Sequence, residues 1–226
     1  YYGSFLVTEL TVTKDTETTS IVAYDKMVNA MIPYDKTKLN IEYPISLIDY
    51  TRVLCDSCGL ELGNESFSIM NDWQITATKD TDGNVVDLWE NIEGITYRDI
   101  FVQIAQATAT TCIISADDKV YFKSLTNTGE SLTYDNMFKL KLEAQYGPIN
   151  SVVLSRTPSE DNIFLQDEES VQFYGVNEFK IENNEIIDKD RENAITPIFN
   201  ALKGISYYPF ETTTEGLGWY EIGDNF

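Results

Sequence analysis

The sequence predicts an α+β fold that is mostly β, and three observations predict it. Runs of β-branched and aromatic residues alternate with period two between polar turns. Two stretches near the middle carry a capping signal followed by apolar residues at helical spacing. The 226 residues are 42 % hydrophobic and 12 % aromatic, enough to bury a core and too many for a disordered acidic tail. Charge adds exclusions: 37 acidic side chains against 16 basic ones give a net charge of −21, and there is no histidine. Chemistry that needs imidazole, whether Ser-His-Asp or Cys-His catalysis or His-ligated zinc, is excluded on this chain alone. So acidic a surface also opposes attraction to nucleic acid through a basic field.

The elements follow in order. Phe5, Val7, Glu9 and Thr11 alternate with Leu6, Thr8, Leu10 and Val12, and the turn Lys14–Thr18 leads into Thr19–Tyr24, which predicts an antiparallel hairpin. A short helix capped by Asp25 and ended by Pro33 is expected next. Ser46 and Asp49 form a capping box ahead of apolar residues at 47, 50, 54 and 58, with Gly59 as the stop. Thr96 and Asp99 repeat the pattern ahead of 97, 100, 101, 104 and 105. An apolar extended run follows each helix, so one cap–helix–strand unit occurs twice. Cys112–Ser115 and Val120–Lys123 flank a tight polar turn and read as a hairpin. Lys139–Glu143 and Ile149–Ser155 read as strands. Residues 160–192 form an acidic block in which Val171–Tyr174 and Phe179–Ile181 read as strands among solvated turns. A last helix is expected over 191–203, starting or breaking at Pro197, and Tyr207–Phe210 and Leu217–Ile222 close the chain as strands.

Candidate chemistry is sparse. Cys55 and Cys58 make one CxxC late in a helix, with no second pair, which favours core thiols over redox or zinc chemistry. Asp80-Thr81-Asp82-Gly83-Asn84 has its glycine at the wrong position for a calcium loop and reads as a hairpin turn. Carboxylate pairs are uninformative in so acidic a chain, and neither GxGxxG nor GxxxxGK[ST] occurs. Three cysteines make no disulfide framework. No apolar run approaches the roughly 20 residues that cross a bilayer. The N-terminus has neither initiator Met nor the basic and apolar regions of a signal peptide. Both ends are abrupt, so a piece of a longer protein is expected.

The order of several segments resembles the hub, or tail-tip, proteins of bacteriophage and prophage tails. Gly3-Ser4-Phe5-Leu6-Val7 through Ile21-Val22-Ala23-Tyr24-Asp25-Lys26-Met27 is similar to that family's G-x-F-x-V…I-x-A-Y-D-x-M opening. Gly94-Ile95-Thr96-Tyr97-Arg98-Asp99-Ile100-Phe101, then Ile104-Ala105 and Asp118-Lys119-Val120-Tyr121-Phe122, resembles its helix and hairpin. Ser206-Tyr207-Tyr208-Pro209-Phe210 and Gly216–Asp224 resemble its Y-x-P…G-x-P-x-x-E-x-G-D close, with Leu217-Gly218-Trp219 where a proline often sits.

The resemblance implies tail-tube-like antiparallel β-barrel domains with a small helix-containing insertion. Residues 1–35 would belong to a first barrel, 36–135 to an α+β insertion holding the two cap–helix–strand units, and 136–226 to a second barrel. It implies a homotrimeric ring that continues the tail tube in the virion. The partners would be the tube or distal tail protein, tail fibres and a tape-measure protein, with DNA passing through without being bound. It carries over no cofactor, metal or catalytic residue. Acids of the 160–192 block, Glu160, Asp161, Asp167, Glu168 and Glu169, would then either line the channel, repelling DNA within the Debye length of about 8 Å, or cover the outside of the ring for solubility. Two alternatives stay open: a carbohydrate-binding adhesin module that uses exposed aromatics, and part of a tail-associated cell-wall hydrolase.

Overall fold

A computed structural model describes residues 3–13, 18–79, 81–82, 85–90, 92–125, 137–157 and 162–214. Strand outweighs helix, the sheets are small, and no closed barrel forms among the described residues. The architecture is α+β, as the alternation and the capped stretches lead one to expect.

The centre is built by the two capped helices. In α1 (Leu47–Ser57) the Ser46 hydroxyl accepts the Asp49 N–H, and Leu47, Tyr50, Leu54 and Cys55 form the buried stripe. In α2 (Tyr97–Ala107) Thr96 and Asp99 cap each other reciprocally, and Tyr97, Ile100, Phe101, Ile104 and Ala105 are buried. The strand after α2, β7 (Thr110–Ile114), turns through Asp117-Asp118 into β8 (Val120–Ser124), the antiparallel hairpin expected there. Phe122 of β8 meets Phe67 and Phe101 edge-on, with centroids 5.5 and 6.2 Å apart. The predicted N-terminal helix is a 3₁₀ turn, Lys26–Met31, capped by Asp25 as expected. Strands β3 (Ile45–Ser46) with β4 (Gln74–Ile75), and β5 (Thr78–Lys79) with β6 (Val85–Val86), are two-residue antiparallel pairs. The second pair flanks the predicted turn at 80–84, part of which lies outside the described residues.

Beside this centre stands a three-stranded sheet with the strand Ser151–Ser155 in the middle. Strand β10 (Ser151–Ser155) pairs antiparallel with β11 (Ile163–Gln166) and parallel with β12 (Glu178–Glu182). Val152 and Leu154 of β10 and Ile181 of β12 point to the core beneath α4 (Arg191–Leu202). Pro197 neither starts nor breaks α4, contrary to expectation. Ala194, Ile195, Ile198, Phe199 and Leu202 are all buried, and burying that face outweighs the roughly 3 kcal/mol penalty of an interior proline. A second difference is α3 (Glu168–Tyr174), where a strand was expected over Val171–Tyr174. Asp167 caps it through the Ser170 N–H, Glu168 and Glu169 stand in its first turn where the helix dipole favours them, and Gly175 at φ 75° ends it. These local signals outweigh the strand propensity of Val, Phe and Tyr.

One hydrophobic core runs through both parts. The seam is sewn by polar groups: Trp73 Nε1 donates to the Ile186 carbonyl at 3.0 Å, and Asn184 Nδ2 to the Gln103 carbonyl at 2.7 Å. Nearby, buried Asp87 accepts from the Tyr43 hydroxyl at 2.5 Å and from the Trp89 N–H at 3.0 Å, while Trp89 Nε1 donates to Tyr50. Burial pushes the Tyr34, Tyr43 and Tyr50 phenols far above their ordinary range, with the Asp87 charge adding to it.

Candidate assembly surfaces

Two ribbons stand out from the core. The first joins β1 (Leu6–Thr13) to β2 (Thr18–Tyr24), and every described residue of both strands is exposed. Simple alternation puts Val7 on the face opposite Leu10 and Val12. The pairing changes this, because Val7 opposes Ala23 and Glu9 opposes Val22, leaving Thr8 as an extra residue. The bulge inverts the pattern beyond it, so Val7, Leu10, Val12, Ile21 and Ala23 share one face. Leu10, Val12 and Ile21 are about 60 % exposed, at 62 %, 62 % and 59 %. The ribbon's foot is fixed to the β7–β8 turn. The Ser4 N–H and hydroxyl donate to Asp118 at 2.7 and 2.6 Å, and Lys26 stands 3.4 Å away, which holds the Asp118 carboxyl below its usual range.

The second ribbon pairs β9 (Met137–Leu142) with β13 (Phe210–Thr214) antiparallel. Its register also slips: Lys141 opposes Glu211 and Phe138 opposes Thr213, so Lys139 and Leu140 together face Thr212. Lys139 has φ 62°, the left-handed backbone of a bulge. Phe138, Leu140, Leu142 and Phe210 are exposed. Tyr146 and Tyr207 exchange backbone hydrogen bonds at its base and lie with centroids 5.1 Å apart. Among the described residues neither ribbon has a third strand or a covering helix, and a two-stranded ribbon on its own is marginal in water.

The sequence-predicted acids divide. Glu160 and Asp161 lie outside the described residues. Asp167, Glu168 and Glu169 come together at the start of α3. Asp167 is committed to structure: it bonds Lys203 Nζ at 2.8 Å and caps the helix, and the Lys203 charge and these hydrogen bonds hold its carboxyl below the usual range. Glu168 accepts from the Gln166 amide at 2.7 Å, and Glu168 and Glu169 are exposed. Sequence reasoning missed the exposed Phe173 and Tyr174 on this helix; the acid run before an apolar stretch that ends at glycine was the signal that could have revealed them.

Cys55 and Cys58 are buried, and desolvation pushes all three thiols up, Cys58 to about 11 and Cys112 to about 12. They are core thiols, unreactive near neutral pH. Among the described residues no group of three His, Cys, Asp or Glu side chains could hold a metal ion, and no helix is long and apolar enough to cross a membrane.

No family model and no curated protein matches the chain. Among solved structures it is similar to the 43 kDa tail protein of prophage MuSo2 from Shewanella oneidensis, at 12 % identity and a TM-score of 0.45. The likeness covers 86 % of this chain and 55 % of that one, so the chain spans about half the length of that protein.

Proposed function

We propose that the chain is a structural, non-enzymatic subunit of a phage or prophage tail, at the tail tip or baseplate hub. Three copies form a ring that continues the tail tube and lets DNA pass. The observation that carries this reading is the pair of ribbons, exposed on both faces and joined by no further strand among the described residues, projecting from a well-packed core. Such ribbons suit a wall made from several chains: each becomes part of a barrel when strands of a neighbouring copy close it. The segment order shared with tail hub proteins supports the same assignment, and Gly3–Met27 and Ser206–Phe210 of that resemblance include or adjoin ribbon strands. The tube protein, tail fibres and tape measure are the partners this position implies. Exposed carboxylates of the 160–192 block, Glu168 among them, serve as the repelling wall of the channel.

Association of the full chain tests the reading. Leu10→Asp with Ile21→Asp places charge on the apolar face of the first ribbon without touching the core. The expected result is loss of assembly by sedimentation with an unchanged melting transition. Assembly as strong as that of the parent chain would contradict the role given to the ribbon.

A further inference from the structure

We propose that Glu169 and Phe173 on α3 of one copy dock into the cavity at the foot of the first ribbon of a second copy, with Arg98 taking the carboxylate. The cavity has a volume of about 390 Å³, within the range of roughly 300–1,000 Å³ typical of binding pockets. Met27, Val28 and Met31 of the 3₁₀ turn and Ile113 of β7 supply its apolar wall, and the thioethers make that wall adaptable. Arg98 and Asp25 also line it; Asp25 Oδ1 caps the 3₁₀ turn by accepting the Met27 N–H at 2.9 Å, and Asp25 keeps its charge at the cavity's edge.

Arg98 is the unusual group. Three of the four arginines are ion-paired: Arg52 with Asp49, Arg156 with Glu185 and Asp188, and Arg191 with Asp188. Arg98 has neither an ion pair nor a hydrogen bond among the described residues, on a chain with more than twice as many acids as bases. A free guanidinium over an apolar cavity fits a carboxylate carried close to an apolar group. The same chain displays that combination. Glu169 and Phe173 are four residues apart in α3 and share a face. Phe173 is 77 % exposed and the adjoining Tyr174 67 %, a projecting aromatic patch of the kind that marks an interaction site. The two surfaces complement each other in charge and polarity and belong to different parts of the fold. Repeated head to tail rather than exchanged about a two-fold axis, such a contact is heterologous and closes into a ring where its rotation allows. This deepens the ring reading and rests on copies associating; it also takes Glu169 out of the channel wall.

Sedimentation of the full chain tests it. Arg98→Glu and Glu169→Lys should each weaken association at least about tenfold, with circular dichroism unchanged. The double variant Arg98→Glu, Glu169→Lys should regain it, because opposite charges then face each other again at every contact. Undiminished association in both single variants, or no recovery in the double variant, overturns the docking. If the Leu10→Asp, Ile21→Asp chain still loses assembly in that case, the ring reading survives without it. A parent chain that stays monomeric at every concentration overturns both.

Discussion

At the scale of single residues, the molecule depends on a few buried polar groups whose partners come from distant segments. Asp87 is only 8 % exposed, with the Tyr43 hydroxyl and the Trp89 N–H as its donors. Asp87→Ala strands both donors and should cost about 2 kcal/mol in denaturant titration. Gly147 sits at φ 93°, and a Cβ there would lie 2.5 Å from the Ile205 carbonyl. Gly147→Ala should therefore destabilise by more than the roughly 1 kcal/mol of backbone strain alone. The thiols give a pH dependence. Their native values lie above the ordinary 9.0, so the native state holds protons that the unfolded state releases. Stability is then full below about pH 8.5 and falls as pH rises toward about 11–12. The buried tyrosines act with the same sign. Melting temperatures measured between pH 7 and 11 should decline, and a flat profile would contradict the burial of these groups.

At the scale of elements, local signals explain most of what forms. The reciprocal cap at Thr96 and Asp99 starts α2, so Thr96→Ala should cost about 1 kcal/mol by thermal melting, whereas Thr96→Ser should be nearly neutral. The hairpin before Tyr24, α1, α2, the β7–β8 hairpin and α4 were legible because alternation, caps and helical spacing are written within ten or twenty neighbouring residues. Three features were not. Helix α3 was hidden by the strand propensity of Val171, Phe173 and Tyr174, and Pro197 suggested a break that the buried face of α4 overrides. The ribbon faces depend on the bulges at Thr8 and Lys139–Leu140, and a slip of one residue transfers every side chain beyond it to the other face. Alternation alone carries no sign of where the slip falls. The candidate site was least legible of all: the acid run at 160–169 can be read from composition, but Arg98 beside a cavity and Phe173 beside Glu169 are juxtapositions made by folding.

At the scale of the whole molecule, net charge and exposed apolar surface pull in opposite directions. A charge of −21 keeps copies apart, while two ribbons that the described residues leave uncovered favour bringing them together. The proposed ring reconciles the two, with the apolar ribbons in contacts between copies and the carboxylates facing solvent and the channel. Screening should then favour assembly, so the associated fraction should rise with salt as repulsion between copies is reduced. The most direct measurement of the central claim is the mass and symmetry of the particle formed by the full chain at high concentration. A threefold ring with an axial opening and the β1–β2 and β9–β13 ribbons covered between copies is the predicted result. A monomer with both ribbons still open to solvent would contradict it.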